Sequence, residues 1–147
     1  MSAIQVTRQT LLDFLKAWEA YPAVFARLSE TQKADFLHKQ GYASFHALLS
    51  HIVAWWEEAF GIMDDILAGR EHLRPPKQYD LDTFNAAAIE RFNDWSEVDL
   101  LAHYEVMRGK LLLLVSNLTE EQIQIKRFHN WLHAVVLEHA EEHAIQE

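Results

Sequence analysis

Two histidines, His139 and His143, lie four residues apart near the C-terminus, in the stretch LEHAEEHAIQE. Residues with this spacing on a helix have their Cβ atoms about 5–6 Å apart, so their imidazoles can bind one metal ion together. At Zn–N distances of about 2.0–2.1 Å, a third protein ligand must come from a facing helix. The chain contains no cysteine, so any metal site in it has only nitrogen and oxygen ligands.

The best candidate for the third ligand is His51. In two segments, histidines continue an apolar stripe at helical spacing. The stripes are Leu48-His51-Trp55-Ile62 and Leu132-Val136-His139-His143. Burying three imidazoles without partners is costly, and a metal removes that cost by using their lone pairs. We therefore predict a divalent-metal site at His51, His139 and His143, with a position left open for water or substrate, as in catalytic sites.

The alternative is a solvated, positively charged helix end without a metal. The helix macrodipole favours a cation there by about 0.3–1 kcal/mol. Four carboxylates near the pair favour it further: Glu138, Glu141, Glu142 and Glu147. His129 and His133 have the same spacing, but we expect them at the surface or at the mouth of a pocket. We interpret the remaining histidines as ordinary polar-face or loop residues: His38, His46, His72 and His103.

Trp55 and Glu58 are the candidate pocket residues, because both follow His51 on its face of the helix. Trp55 is one turn away and could form a wall of the pocket, although we favour core packing for it. Glu58 is two turns away and could act as a general base, although we favour a solvated carboxylate. Trp56 points about 100° away from this face, so we expect it to pack in the core.

Helical periodicity runs through almost the whole chain, and the four glycines and three prolines mark its interruptions. We predict an all-α protein, an antiparallel four-helix bundle with short extra helices in the connections. The first two long helices span residues 7–28, kinked or split at Pro22, and the segment from an N-cap at Ser44 to about Ala68. The third runs from an N-cap at Ser96 to about residue 117, and the last starts near Asn130 or Trp131 and continues almost to the end.

The short elements are a helical piece ending near Gly41, a minor helix at residues 83–94 and a turn opened by a capping box at Thr119. Residues 70–80, with their two adjacent prolines, are predicted to be a loop. No domain linker is evident, so residues 1–147 are expected to form one domain.

The charge and composition of the chain argue against several classes of partner. Thirteen basic residues against 22 acidic ones give a net charge of −9, which argues against binding to nucleic acid or to an anionic membrane surface. No signal peptide or apolar run of about 20 residues is evident, so we expect a soluble, cytoplasmic protein. Five Trp, eight Phe and four Tyr are many for one domain, and we expect a homodimer that covers some of this surface.

Two segments resemble motifs of the DinB superfamily. The stretch ALLSHIVAWWEEAF resembles the second helix of these proteins, where a histidine precedes a tryptophan, and EHAEEHAIQ is similar to their last-helix motif. Within the superfamily the chain looks closest to the ClbS/DfsB group, because FNAAAIERFNDWSEVDLLAHYEVMRGKLLLLVSNLTEEQ is similar to its minor helix, cap and third helix. The resemblance covers nearly the full length.

The resemblance implies an antiparallel bundle with a long crossover between the second and third helices. It also implies nickel or zinc held by His51, His139 and His143. Relatives include thiol-dependent transferases and isomerases that act on small electrophiles, and the ClbS group includes hydrolysis of the strained cyclopropane of a genotoxin. Metal-assisted hydrolysis or thiol transfer on a small electrophilic molecule, in detoxification or stress response, is therefore the first hypothesis. The second is a non-enzymatic protein that binds or sequesters a reactive metabolite and carries a vestigial metal site.

Overall fold

The computed structural model describes residues 5–146, and helices are the only regular secondary structure in that range. The all-α prediction is therefore confirmed. The α-helices in chain order are α1 Arg8–Ala17, α2 Tyr21–Ala26, α3 Glu30–Gln40, α4 Phe45–Leu67, α5 Leu81–Phe92, α6 Glu97–Asn117, α7 Glu120–Ile123, α8 Lys126–Leu132 and α9 His139–Glu142. Short 3₁₀ turns occupy Trp18–Ala20 and Glu71–Leu73, and a π-helical segment occupies His133–Glu138. Glu147 lies outside the described residues.

The first long helix is split, as its proline predicted. A 3₁₀ turn follows α1, and Pro22 stands in the first turn of α2, where its missing N–H has no helical partner to lose. Leu11, Leu15 and Trp18 are buried in the core as expected. Leu12 is only partly buried, because the inward face of so short a helix is narrower than the predicted stripe.

The predicted N-caps are confirmed. The Ser44 and Ser96 side chains accept hydrogen bonds from the backbone N–H groups of Ala47 and Asp99. Thr119 and Gln122 form the expected reciprocal capping box. These caps were predictable because each depends on residues within three positions of one another.

The central element is α4, which packs against α5, α6, α8 and the π-helical segment. With neighbours on several sides, it buries residues around most of its circumference over its first half. His51 lies in this buried half, flanked by the core residues Leu48 and Ile52. None of the helices among residues 5–146 is both long enough and apolar enough to cross a membrane.

The last long helix differs from its predicted form. It begins at Lys126 rather than near Asn130, because Phe128 and Leu132 bury its first turns in the core. It then widens into the π-helical segment, returns to α-helical geometry in α9 and ends at Glu142. His143 follows the final helical residue, and its backbone N–H bonds to the carbonyl of His139 at 2.9 Å.

Candidate metal centre

Three histidines from two distant parts of the chain meet beside α4. His51 lies in α4, His139 opens α9 and His143 follows α9. One ring nitrogen of each histidine lies within 4.8 Å of the corresponding nitrogens of the other two. The rings are almost fully buried, with 7%, 8% and 5% of the residues exposed respectively. The structure thus brings together all three predicted ligands, close enough to hold one metal ion.

The proton position on His51 follows from its neighbours. The indole Nε1 of Trp55 can only donate, and it lies 2.8 Å from Oδ1 of Asn85. This contact identifies the amide oxygen, which also lies 2.8 Å from Nδ1 of His51. Nδ1 must therefore carry the proton and donate it to Asn85, which leaves a free lone pair on Nε2 of the neutral ring.

A second amide fixes His143 in the same way. The backbone carbonyl of Glu142 can only accept, and it lies 2.9 Å from Nε2 of Gln40. The other end of that amide, Oε1, therefore faces Nδ1 of His143 at 2.7 Å and must accept a hydrogen bond from its N–H. The free lone pair of His143 is consequently on Nε2, as in His51.

The two lone pairs point at each other. Nε2 of His51 and Nε2 of His143 are 3.2 Å apart, yet in the neutral rings neither atom has a proton to donate. Two nitrogens bound tetrahedrally to one zinc ion at about 2.0–2.1 Å are themselves about 3.3–3.4 Å apart. His139 adds a buried Nδ1 without a hydrogen-bond partner. The arrangement therefore fits a cation between the rings better than it fits the histidines alone.

Burial keeps these histidines neutral. It lowers the pKa of His143 to about 4, with a smaller contribution from the charge of His51. It also lowers the pKa of His139 well below its usual value, and His51 and His143 lower it further. For His51 burial again lowers the pKa, and the hydrogen bond to Asn85 offsets part of the effect. Neutral imidazole is the form that ligates a metal.

The π-helical segment sets the direction of His139. The N–H of His139 bonds to the carbonyl of Ala134, five residues back, instead of to Val135. The carbonyl of Val135 accepts instead from the indole of Trp56 at 2.8 Å, and that of Val136 accepts from Trp18 at 3.1 Å. Two tryptophans from other elements thus satisfy carbonyls of the widened turn that leads into the site.

The two predicted pocket residues, Trp55 and Glu58, make contacts with side chains other than the three histidines. Trp55 is buried and stacks on Phe84 with ring centroids 3.9 Å apart, so it packs in the core, and its indole shares the amide oxygen of Asn85 with His51. The Glu58 carboxylate is mostly buried rather than solvated, and it accepts a hydrogen bond from Tyr79 at 2.6 Å. Its further contact is Lys77 at 3.7 Å. Trp56 is fully buried, as predicted.

The other histidines lie apart from the three that converge. His129 and His133 are partly exposed, with stacked rings 6.1 Å apart, and His133 pairs with Glu138 at 2.7 Å. His103 contacts Glu57 at 2.8 Å, and His46 contacts the carbonyl of Trp95 at 2.9 Å.

Gln40 and Asn85 were absent from the sequence-based prediction. Asn85 stands inside α5 ahead of three alanines, and an asparagine is disfavoured inside a helix, which is a signal of a specific hydrogen-bonding role. Gln40 ends α3 just before Gly41 and carries no comparable signal, because a glutamine is common at any exposed helical position.

Comparisons of the chain with protein-family models, with curated proteins and with solved structures find no match.

Proposed function

We propose that the protein binds one divalent metal ion, nickel or zinc, through His51, His139 and His143. The observation that carries this proposal is the approach of two unprotonated Nε2 atoms to 3.2 Å inside a buried cluster. Without a cation, both lone pairs and the unpartnered nitrogen of His139 would be buried without a favourable contact. Imidazole suits both zinc and nickel.

We further propose that the bound metal serves chemistry on a small electrophilic molecule, by hydrolysis or by transfer of a thiol. A metal held by three protein ligands keeps a position for water or substrate and lowers the pKa of bound water to about 7. The chain itself supplies the orientation, because Asn85 and Gln40 hold protons on the outer nitrogens of His51 and His143. This function accords with an antiparallel four-helix bundle of the DinB superfamily, ClbS/DfsB group, which we propose as the fold and family.

The test of the metal site is the stoichiometry of binding. Protein purified without a metal-affinity column and stripped with a chelator is titrated with zinc and with nickel at neutral pH. We expect one ion per chain. The His139→Ala variant should bind none, because two histidines alone do not complete the site.

His133→Ala is the matched control, since it removes a histidine of the same helix that pairs with Glu138 instead. It should bind as the unaltered protein does. If neither metal binds stoichiometrically to the unaltered protein, the metal proposal is wrong and the three histidines are structural.

One observation favours a second, non-enzymatic function. At most 8% of each histidine is exposed, which suits a metal that stabilises the fold, or a vestigial site in a protein that sequesters a small molecule. Metal that raises the melting temperature without metal-dependent turnover of small electrophiles would select this function over the enzymatic one.

We also propose a homodimer. Large apolar side chains of α4 and α6 remain exposed, including Leu67 at 46%, Val106 at 52% and Leu113 at 65%. Burial of such side chains favours association. Sedimentation at tens of micromolar should give a species of twice the chain mass of 17.2 kDa. A single species of 17.2 kDa would contradict the proposal.

A further inference from the structure

A groove of about 300 Å³ lies between the segment that follows α4 and the start of α8. Its polar lining is rich in hydrogen-bond donors, and none of the described residues that line it is a carboxylate. The donors are Lys77, Lys126, Arg127 and Asn130. Its apolar walls include the rings of Tyr79 and Trp131.

The charge of Arg127 is only loosely compensated. Its Nη1 is buried without a hydrogen-bond partner, and Glu71 lies 3.7 Å from it, beyond hydrogen-bond distance. Glu71 is itself 62% exposed, whereas the Arg127 side chain is 20% exposed. A desolvated guanidinium with so weak a partner favours an anion nearby.

Positive charge is concentrated in this groove despite the net charge of −9. Three of the 13 basic residues of the chain line it. The carboxylate of Glu58 is 3.7 Å from Lys77 and already accepts a hydrogen bond from the hydroxyl of Tyr79 at 2.6 Å. The groove therefore keeps an excess of donors over acceptors.

The aromatic wall is built from rings that contact one another. Trp131 contacts Tyr79 edge to face, with ring centroids 5.6 Å apart, and lies 6.2 Å from Trp55. The Tyr79 hydroxyl donates its hydrogen bond to Glu58, so Tyr79 presents its ring to the groove rather than a polar group. Such a wall suits a flat apolar ligand group.

The geometry points to a binding site for a small organic anion, a carboxylate or phosphate attached to a flat apolar ring. The anionic end pairs with Arg127 and Lys77, and the ring packs against Trp131. This site is separate from the three histidines and does not depend on the metal proposal.

The probes are 2-naphthoate and its neutral analogue 2-naphthamide, titrated calorimetrically into the full chain. The carboxylate should bind about tenfold more tightly or better, since hydrogen bonds to charged groups are the strong ones. Its affinity should fall with added salt. 2-Naphthyl phosphate, run in parallel, shows whether the dianion binds more tightly than the carboxylate.

The titrations are run with and without a chelator, because a carboxylate can also bind a metal. Binding that survives the chelator supports the groove. Binding lost with the chelator assigns the anion to the histidines and overturns the inference, as does equal or absent binding of the acid and the amide.

Arg127→Gln should weaken the carboxylate about tenfold or more and leave the amide unchanged. Lys77→Gln, at a residue whose side chain is 63% exposed, is the second variant and should weaken it less. Arg91→Gln is the control, since it makes the same charge change at a residue paired with Glu57 at 2.5 Å outside this groove. Unchanged affinity in both Arg127→Gln and Lys77→Gln would refute the site.

Discussion

At the scale of single residues, two side-chain amides determine how the buried histidines present themselves. Gln40 donates a hydrogen bond to a backbone carbonyl, which can only accept, and Asn85 accepts one from an indole N–H, which can only donate. The oxygen of each amide is thereby turned toward Nδ1 of a histidine, which must carry the proton and donate the hydrogen bond. They are positioning residues, because they act on the Nδ1 atoms and leave the facing Nε2 atoms for a ligand.

Gln40→Leu tests this arrangement. The variant leaves the N–H on Nδ1 of His143 without its acceptor and the Glu142 carbonyl without its donor. Zinc affinity should fall by about 10–100-fold, the usual effect of removing an outer partner of a ligating histidine. Calorimetric titration with zinc measures it.

Gln9→Leu is the matched control, because Gln9 is exposed and donates a hydrogen bond to Asp13 on its own helix. It should leave zinc affinity unchanged. Gln40→Glu should weaken binding less than Gln40→Leu does, since the carboxylate still accepts from Nδ1. Equal zinc affinity in Gln40→Leu and the unaltered chain would refute a positioning role for Gln40.

The three histidines could be predicted from the sequence, and their partners could not. The four-residue spacing of His139 and His143 predicts a shared ligand, and the position of His51 on an apolar stripe predicts that it is buried. Gln40 and Asn85 lie in α3 and α5, and only tertiary packing brings these helices to the site. Local patterns carry no information about such contacts.

At the scale of elements, the same distinction separates the caps from the π-helical segment. The caps of α4, α6 and α7 follow from neighbouring residues and were predicted. Indole N–H groups of other elements donate hydrogen bonds to the widened turn at His133–Glu138. The sequence of that stretch carries no sign of these donors, and it predicts an ordinary α-helix. The apolar spacing places the start of the last helix near Asn130, whereas α8 begins at Lys126 and buries Phe128 in the core.

Trp56→Phe tests whether the indole maintains the widened turn. The change keeps an aromatic ring but leaves the Val135 carbonyl without the indole donor, at a cost of about 1–3 kcal/mol of folding free energy. Metal affinity should fall as well, because His139 is the residue immediately after the widened turn and its direction depends on that turn. Denaturant unfolding and zinc titration measure the two effects.

A loss of stability with unchanged zinc affinity would show that Trp56 supports the core without directing His139. Trp95→Phe is the comparison, since Trp95 is 36% exposed and lies outside the π-helical contact. It should change neither quantity appreciably.

At the scale of the whole molecule, the buried histidines link stability to pH. All three have a pKa lower in the folded chain than the usual value of about 6.5. The unfolded chain therefore binds more protons once the pH falls below about 6.5, and protons then favour unfolding. The metal-free protein should keep its full stability above that pH.

As the pH falls from about 6.5 to about 4, where His143 titrates in the folded state, the metal-free protein should lose stability. His143 alone contributes a loss on the order of 3 kcal/mol. Denaturant unfolding at several pH values measures the slope. His143→Ala should give a shallower slope than the unaltered chain, whereas identical slopes for the two would contradict the assignment.

The π-helical segment also has a consequence for changes of chain length. A π-helical turn accommodates one residue more than the α-helical turn that it replaces. Deleting one residue from an ordinary α-helical turn would rotate everything after it by about 100° around the helix axis. Deleting a residue such as Ala134 would instead restore regular α-helical geometry, because the widened turn would lose only its extra residue, and the residues after it would keep nearly their present orientation. In this stretch, a one-residue deletion would therefore leave His139 and His143 facing His51, whereas the same deletion in a regular part of the helix would turn them away.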